Sequence, residues 1–476
     1  MITFTICLFV LIIGYFVYGR FVEKVFGADD RPTPAITKAD GVDFIPMPAW
    51  KLFMIQFLNI AGLGPIFGAI MGAKFGTASF LWIVLGSIFA GATHDYIAGM
   101  LSLRNSGENL PDIIGRYLGK NAKLIMRIFT IVLMVLVGAV FVAGPAGLIA
   151  NLTPSALNTT FWMIVIFLYY LLATLLPIDK IIGRVYPIFA AALLFMAIGV
   201  LVMLYVNMPV LPEIWDGLEN THPNAEKLPI FPIMFVSIAC GAISGFHATQ
   251  SPLMARCMKK EKYGRPVFYG AMIVEGMVAL VWAAAATYFF QKNGMGESNA
   301  AVIVNDITNS WLGTIGGILA ILGVIAAPIT SGDTALRSAR LIIADFFNIE
   351  QKSIKKRLLI CVPMFACTFL LLLYSLRDAA GFDLIWRYFS WANQTLSVFT
   401  LWAITVFLVR ERKGLYFIIT LIPALFMTAI CASYICVAPE GFGILPDFSL
   451  VIASVVAAIS LVLFSIWYAK AKRNKV

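Results

Sequence analysis

The chain has 476 residues, 61% of them hydrophobic and only 13% charged, against roughly 25% charged in an ordinary soluble domain. A water-facing surface cannot be built from so few charges, which excludes a string of soluble domains, a disordered chain and a disulfide-stapled secreted fold; most of the outside must face lipid. The net charge of +10 resembles a nucleic-acid binder's until its distribution along the chain is considered.

A spanning helix needs about 20 mostly apolar residues. Thirteen such runs occur, near 2–19, 50–72, 77–103, 123–149, 158–176, 186–208, 230–254, 267–290, 311–334, 357–376, 384–408, 415–437 and 448–469. The first lacks a basic start and a small-residue cleavage site and reads as an uncleaved helix. Basic residues orient the array. Arg104, Arg116, Lys120 and Lys123 follow the third run, Lys180 and Arg184 the fifth, and Arg256, Lys259, Lys260, Lys262 and Arg265 the seventh. Arg337, Arg340, Lys352, Lys355, Lys356 and Arg357 follow the ninth, Arg410, Arg412 and Lys413 the eleventh, and Lys470, Lys472, Arg473 and Lys475 close the chain. The alternate connections are acidic or nearly uncharged, with Glu213, Asp216, Glu219 and Glu226 together in one. The asymmetry predicts an N-terminus outside and a C-terminus in the cytoplasm. The basic excess is thus a topology signal and a contact for anionic lipid, with no nucleic-acid partner expected. The seven cysteines form no C-x-x-C pair and suggest neither a disulfide framework nor a zinc ribbon.

Two runs carry helix-breaking stretches. The second contains Asn59-Ile60-Ala61-Gly62-Leu63-Gly64-Pro65, which should unwind and leave backbone groups that are tolerated at membrane depth only against protein or a watery cavity. Gly64, Gly68, Gly72 and Gly76 beyond it form a small-residue ridge for close packing. The seventh run contains Gly241-Ala242-Ile243-Ser244-Gly245-Phe246-His247-Ala248-Thr249-Gln250-Ser251-Pro252. The two runs lie five apart and point oppositely, and paired interrupted helices in inverted positions point to a midplane site in a transporter with inverted repeats. Runs 2–6 and 7–11 would be the repeats. Residues 1–49 then form a peripheral helix and cytoplasmic loop and 50–208 the first repeat. Residues 209–410 hold an exterior loop and the second repeat, and 411–476 two peripheral helices and a basic tail.

Titratable groups inside lipid are rare and usually functional. His94 and Asp95 in the third run, His247 in the seventh and Glu275 in the eighth all fall between the midplane and the cytoplasmic side. His94 and Asp95 project about 100° apart, so the pair is expected to divide, one toward a cavity and one toward a neighbouring helix. For Asp95 a structural hydrogen bond is the competing reading; for His247, a satisfied core histidine; for Glu275, a helix–helix hydrogen bond in place of a proton carrier. The ninth run ends Thr330-Ser331-Gly332-Asp333, hydroxyls that suit sodium beside free carbonyls, although Asp333 and Arg337 are also spaced for an i,i+4 pair. Ser390-Trp391-Ala392-Asn393-Gln394-Thr395 in the eleventh run either lines a pathway or glues helices together.

At these residues the chain resembles the carbon starvation protein A family of bacterial inner-membrane transporters. The likeness rests on Asn59–Pro65, Gly91-Ala92-Thr93-His94-Asp95-Tyr96, Gly245–Ser251, Thr330–Asp333 and Ser390–Gln394. It implies membership of the amino acid–polyamine–organocation superfamily and a leucine-transporter-type five-plus-five inverted repeat with extra peripheral helices. It also implies proton-driven uptake of peptides or pyruvate across the inner membrane.

The expectation is therefore an all-α polytopic membrane protein of about thirteen transmembrane helices: a secondary active transporter, not an enzyme, that imports a small carboxylate-bearing nutrient by alternating access. Candidate substrate contacts are Asn59, Gly62, Gly64, Ser244, Gly245, Phe246, Thr249, Gln250, Asn393 and Gln394. Candidate ion-coupling residues are His94, Asp95, His247, Glu275, Thr330, Ser331 and Asp333, with no cofactor and no metal, and with the proton ahead of sodium as the coupling ion. The alternatives are a nutrient sensor on a transporter fold, and an intramembrane metal-dependent enzyme using His94, Asp95, His247 and Cys240. The second lacks any H-E-x-x-H or G-x-S-x-G motif. No G-x-x-x-x-G-K-[ST] loop supports ATP-driven transport.

Overall fold

The computed structural model describes residues 1–41, 43–150, 152–175, 182–295, 300–351, 353–377, 381–411 and 414–473. Of the basic residues that orient the sequence, Lys180, Lys352, Arg412, Lys413 and Lys475 lie outside them. The helices are α1 (Ile2–Phe26), α2 (Ala49–Ile60), α3 (Gly64–Ala73), α4 (Ala78–Arg104), α5 (Leu110–Leu118), α6 (Lys120–Ala150), α7 (Thr159–Leu175) and α8 (Ile182–Asn207). They continue with α9 (Phe235–Ile238), α10 (Gly245–Ala255), α11 (Ala271–Asn293), α12 (Ala300–Phe347), α13 (Ile354–Arg377), α14 (Gly381–Glu411), α15 (Ile418–Val437) and α16 (Pro446–Arg473). Among the described residues the one extended pairing outside helices is an isolated bridge between Met47 and Met258.

Among the described residues, ten helices are long and apolar enough to cross a membrane, and eleven if the bent pair α2 and α3 is one span. Thirteen apolar runs in the sequence thus correspond to eleven supported spans; the run at 158–176 coincides with the shorter α7, and that at 311–334 lies inside α12, which starts earlier and turns at Gly313 (φ 66°). Burial grades the bundle from centre to edge. The stretch Glu261–Asn293, which contains α11, is 89% buried in its apolar window, whereas α16 is 17% buried and faces outward along most of its length.

Both breaks form, each for an identifiable reason. α2 and α3 meet at 56° across residues 61–63, where Gly62 and Gly64 supply freedom and Pro65 opens the next helical turn without needing a hydrogen-bond donor. The glycine ridge on α3 lies against α9: a Cβ on Gly68 would sit 2.7 Å from the Ser237 carbonyl oxygen, and one on Gly64 would collide with Cys240. Gly76 leaves that ridge for a turn at φ 81°. In the seventh run the sequence predicts a break spread over 241–252, but the structure confines it to 239–244. α10 resumes at Gly245 and carries the polar stretch in unbroken helix, Pro252 included. The helix is interrupted at Ala239, which takes a positive φ of 31°, while the span Ile230–Ala255 keeps its direction.

Candidate functional site

His94 and Asp95 follow a π-helical turn at Gly86–Gly91 in α4. His94 Nδ1 lies 2.7 Å from Asp95 Oδ1, and His247 Nδ1, from α10, lies 2.9 Å from Asp95 Oδ2. On its other side His247 Nε2 is 3.4 Å from Glu275 Oε2 of α11. All four side chains are fully buried. The sequence expectation that His94 and Asp95 part company is corrected: a carboxylate has two oxygens, and Asp95 uses one for its own neighbour and one for the facing helix.

This geometry suits one arrangement of protons, with Asp95 ionised. An ionised carboxylate only accepts, so both imidazoles present N–H from Nδ1, which leaves Nε2 of each ring as the acceptor. Among the described residues, His94 Nε2 has no hydrogen-bond partner, and neither Glu275 oxygen has one. A proton can therefore reside on His247 Nε2 or on Glu275, with Asp95 anchoring the rings. Among the described residues no group of three or more His, Cys, Asp or Glu side chains converges to hold a metal ion.

The second break lies beside this chain and is closed by α14. Asn393 Oδ1 accepts from Ser244 Oγ at 3.0 Å and from the Phe246 N–H at 2.7 Å, replacing the missing turn at the α10 N-terminus. Gln394 Nε2 donates to the Ile243 carbonyl at 3.1 Å, and a Cβ on Gly245 would press on backbone atoms of Asn393 and Ser397. Phe246 meets Phe141 edge-on at 6.1 Å, and a Cβ on Gly62 would strike that same Phe141 ring. Thr249 bonds back to the Phe246 carbonyl at 2.6 Å and receives Gln250 Nε2 at 2.8 Å. Asn59, fully buried at the end of α2, has neither amide atom partnered among the described residues, and the same holds for Gln56 three residues earlier.

A third group forms where α12 crosses the first break. Ser331 Oγ lies 3.1 Å from the Leu58 carbonyl and 2.9 Å from that of Ala327; Thr330 Oγ1 bonds to Ala326 and Ala327 carbonyls. Asp333 does not pair with Arg337 as its spacing suggests. Asp333 Oδ2 accepts the Tyr186 hydroxyl at 2.6 Å, and Arg337 donates to the Ala173 carbonyl at 2.7 Å. Tyr186, Gln56, Phe141 and Ser87, whose hydroxyl bonds to the Gly241 carbonyl at 3.0 Å, were not among the sequence candidates. Gln56 was visible as a second amide on the Asn59 face of an apolar run; the other three carry no local signal. A separate cavity of about 900 Å³, apolar and opening between α14, α15 and α16 near Trp402 and Phe464, holds none of this chemistry.

The sequence model for carbon starvation protein CstA matches residues 1–154, 149–314 and 294–433. The chain belongs to the carbon starvation protein CstA family. Within that setting it is 43% identical over 341 residues to an uncharacterized membrane protein of Haemophilus influenzae, covering 61% of this chain and 92% of the relative. It is 29% identical to the peptide transporter CstA of Bacillus subtilis over 529 residues, covering 89% of this chain and 88% of that one. The pyruvate/proton symporter BtsT of Escherichia coli is 28% identical over 341 residues, 58% of this chain and 48% of its own. Two solved structures share the fold: a manganese transporter mutant of Eremococcus coleocola (TM-score 0.59, 13% identity, 92% of this chain and 99% of that one) and MhsT in complex with L-phenylalanine (TM-score 0.58, 14% identity, 85% and 97%). The CstA-family chain is accordingly a multi-pass membrane protein, and the transporters among its relatives and structural neighbours support a transporter role.

Proposed function

We propose that this CstA-family protein is a proton-coupled secondary transporter that imports a small carboxylate-bearing nutrient, a peptide or pyruvate, across the bacterial inner membrane. The observation that carries the reading is the buried His94–Asp95–His247–Glu275 chain, which ties a titratable pair to the break before α10. Substrate sits between the two breaks, against Asn59, Phe246 and the Asn393–Gln394 pair. Its carboxylate takes the place of the Asn393 oxygen at the α10 N-terminus, where peptide N–H groups favour an anion. Taking a proton onto Glu275 or His247 from outside and releasing it inside couples that exchange to the gradient. The Ser331, Thr330, Leu58 and Ala327 oxygens are the proposed position for sodium, the alternative coupling ion.

The proposed frame has thirteen spans, the N-terminus outside and the C-terminus in the cytoplasm. Runs 2–6 and 7–11 form a five-plus-five inverted repeat of the leucine-transporter type, with the first and last two helices peripheral. The α2–α3 bend and the α9–α10 break, five runs apart, support this arrangement. The test is uptake of labelled pyruvate against a labelled dipeptide into proteoliposomes under an inward proton gradient without sodium. Proton-dependent uptake of one of them identifies the substrate class; no uptake of either, with or without sodium, removes the proposal and favours a sensor.

A further inference from the structure

We propose that Arg337 and Arg340 form a second binding site, for the carboxylate of a small organic acid, on the exit side of the breaks, and that Asp43 occupies it as an internal carboxylate. This inference rests on the transporter reading above and extends it to a named ligand group. The two arginines lie three residues apart on α12, 1% and 0% exposed. Among the described residues, Nε and one terminal nitrogen of Arg337, and all three nitrogens of Arg340, have no hydrogen-bond partner. Asp43 Oδ1 stands 4.0 Å from Arg337 and 3.8 Å from Arg340, within ion-pair range but beyond hydrogen-bond length, and is itself without a hydrogen bond. Asp333 is engaged by Tyr186, and the nearby Arg357 donates to the Gln351 carbonyl. Buried guanidinium donors left unpaired are costly, and their planar fork matches a carboxylate.

Position suggests what uses the site. Arg337 and Arg340 follow Ser331, which touches the first break, by six and nine residues on the same helix, about 9 and 13 Å toward the basic end of the bundle at 1.5 Å per residue. Asp43 belongs to a segment, 43–47, whose start is held locally by the Asp40 carboxylate, which accepts the Asp43 and Phe44 N–H at 3.0 and 2.9 Å, and whose ties to the helix bundle run chiefly to residues 256–258. Met47 N–H donates to the Cys257 carbonyl at 3.0 Å, Cys257 Sγ lies 3.6 Å from the Asp43 carbonyl, and Arg256 stacks on Phe44 at 5.4 Å. A carboxylate arriving from the breaks takes the arginines in Asp43's place, and segment 43–47 lifts away from Cys257.

Cys257 is fully buried and so reports that movement. The full chain in proteoliposomes is treated with N-ethylmaleimide and Cys257 alkylation is followed by peptide mass spectrometry, with acetate, pyruvate or the neutral acetamide added. The expected result is a several-fold faster reaction with acetate and with pyruvate and none with acetamide. Asp43→Asn reacts fast without any addition, and Arg340→Gln loses the carboxylate response. Should Arg340→Gln not fold, Arg340→Lys retains the charge without the fork, and its response is weakened. Equal reactivity with acetate and acetamide in the unmodified chain, or a full response in the Arg340 variants, overturns the inference. Pyruvate uptake without a Cys257 response removes this site and leaves the transporter reading intact; a Cys257 response without uptake of any substrate does the reverse.

Discussion

Asp95 on α4 accepts the Nδ1 hydrogen of His247 on α10 at 2.9 Å, and this one bond joins the protonation state of the interior to the helix that resumes after the second break. Because Asp95 also receives His94 at 2.7 Å, it fixes both rings with Nε2 as the open acceptor. His247 thereby faces Glu275 in the tautomer able to exchange a proton with it.

Replacing Asp95 with Asn removes that control. An amide offers its N–H to one of the rings, so at least one histidine must reverse its tautomer. Loss of a charge-assisted hydrogen bond is worth about 1.5–3 kcal/mol, a factor of roughly 10 to 100. Proton-driven uptake in Asp95→Asn should fall by that order while substrate exchange without a gradient falls much less. The ratio of the two initial rates in proteoliposomes is the measurement, and an equal loss of both contradicts a coupling role.

Asn393 closes the second break, so its removal should be felt in stability. Asn393→Ala leaves the Phe246 N–H buried without its acceptor, costing about 1–3 kcal/mol. Thermal unfolding in detergent should shift down by several degrees. Asn393→Asp keeps an acceptor and should recover most of the loss; identical destabilisation in both variants argues against the capping account.

How much of this was legible beforehand depends on the range of the interactions. The first break was readable because its cause is local: Gly62, Gly64 and Pro65 change backbone preference wherever they stand. His94, Asp95, His247 and Glu275 were readable because a titratable group in an apolar run is conspicuous by itself. Their connectivity was not, since it depends on a contact between residues 152 positions apart and on two oxygens of one carboxylate serving different partners. The second break was misplaced for a related reason. Its polar residues read locally as helix breakers, whereas Asn393 and Gln394, from a distant helix, satisfy the groups freed at 243–246 and let α10 continue regular through Pro252. In the sequence Arg340 counts only as a topology charge and Arg337 as that or as a partner for Asp333; that both are buried beside Asp43 follows from the packing of α12.

The close approach of the two breaks gives a paired prediction. Gly64→Ala drives a methyl group into Cys240, and overpacking of this kind costs about 1–3 kcal/mol. Cys240→Gly removes the obstructing atoms, so the double variant should be more stable than the sum of the single changes. Additive losses in thermal unfolding contradict direct contact between the breaks.

In the acidic connection the His222 ring packs at a tilt against Phe75, centroids 4.9 Å apart, and its Nδ1 accepts the Asn224 N–H at 3.0 Å. Burial, and then the charge of Lys74, hold its proton affinity below the ordinary histidine range. The unfolded loop therefore binds more protons than the folded one. Stability from this group is complete above the ordinary value of about 6.5 and is lost as pH falls through it toward the lower folded value. Hydrogen exchange of residues 220–228, corrected for intrinsic rate, should accelerate between about pH 7 and about pH 5, and His222→Gln should flatten the response. A pH-independent profile in the unmodified chain contradicts it.

The central claim is that Glu275 and His247 carry the coupling proton, and its most direct test is proton flux itself. Proteoliposomes loaded with a pH-sensitive dye and given the transported substrate, without an imposed gradient, should acidify inside for the unmodified protein. They should show no such change for Glu275→Gln or His247→Ala, even where labelled substrate still equilibrates across the membrane. Substrate-driven acidification that persists in both variants contradicts the account.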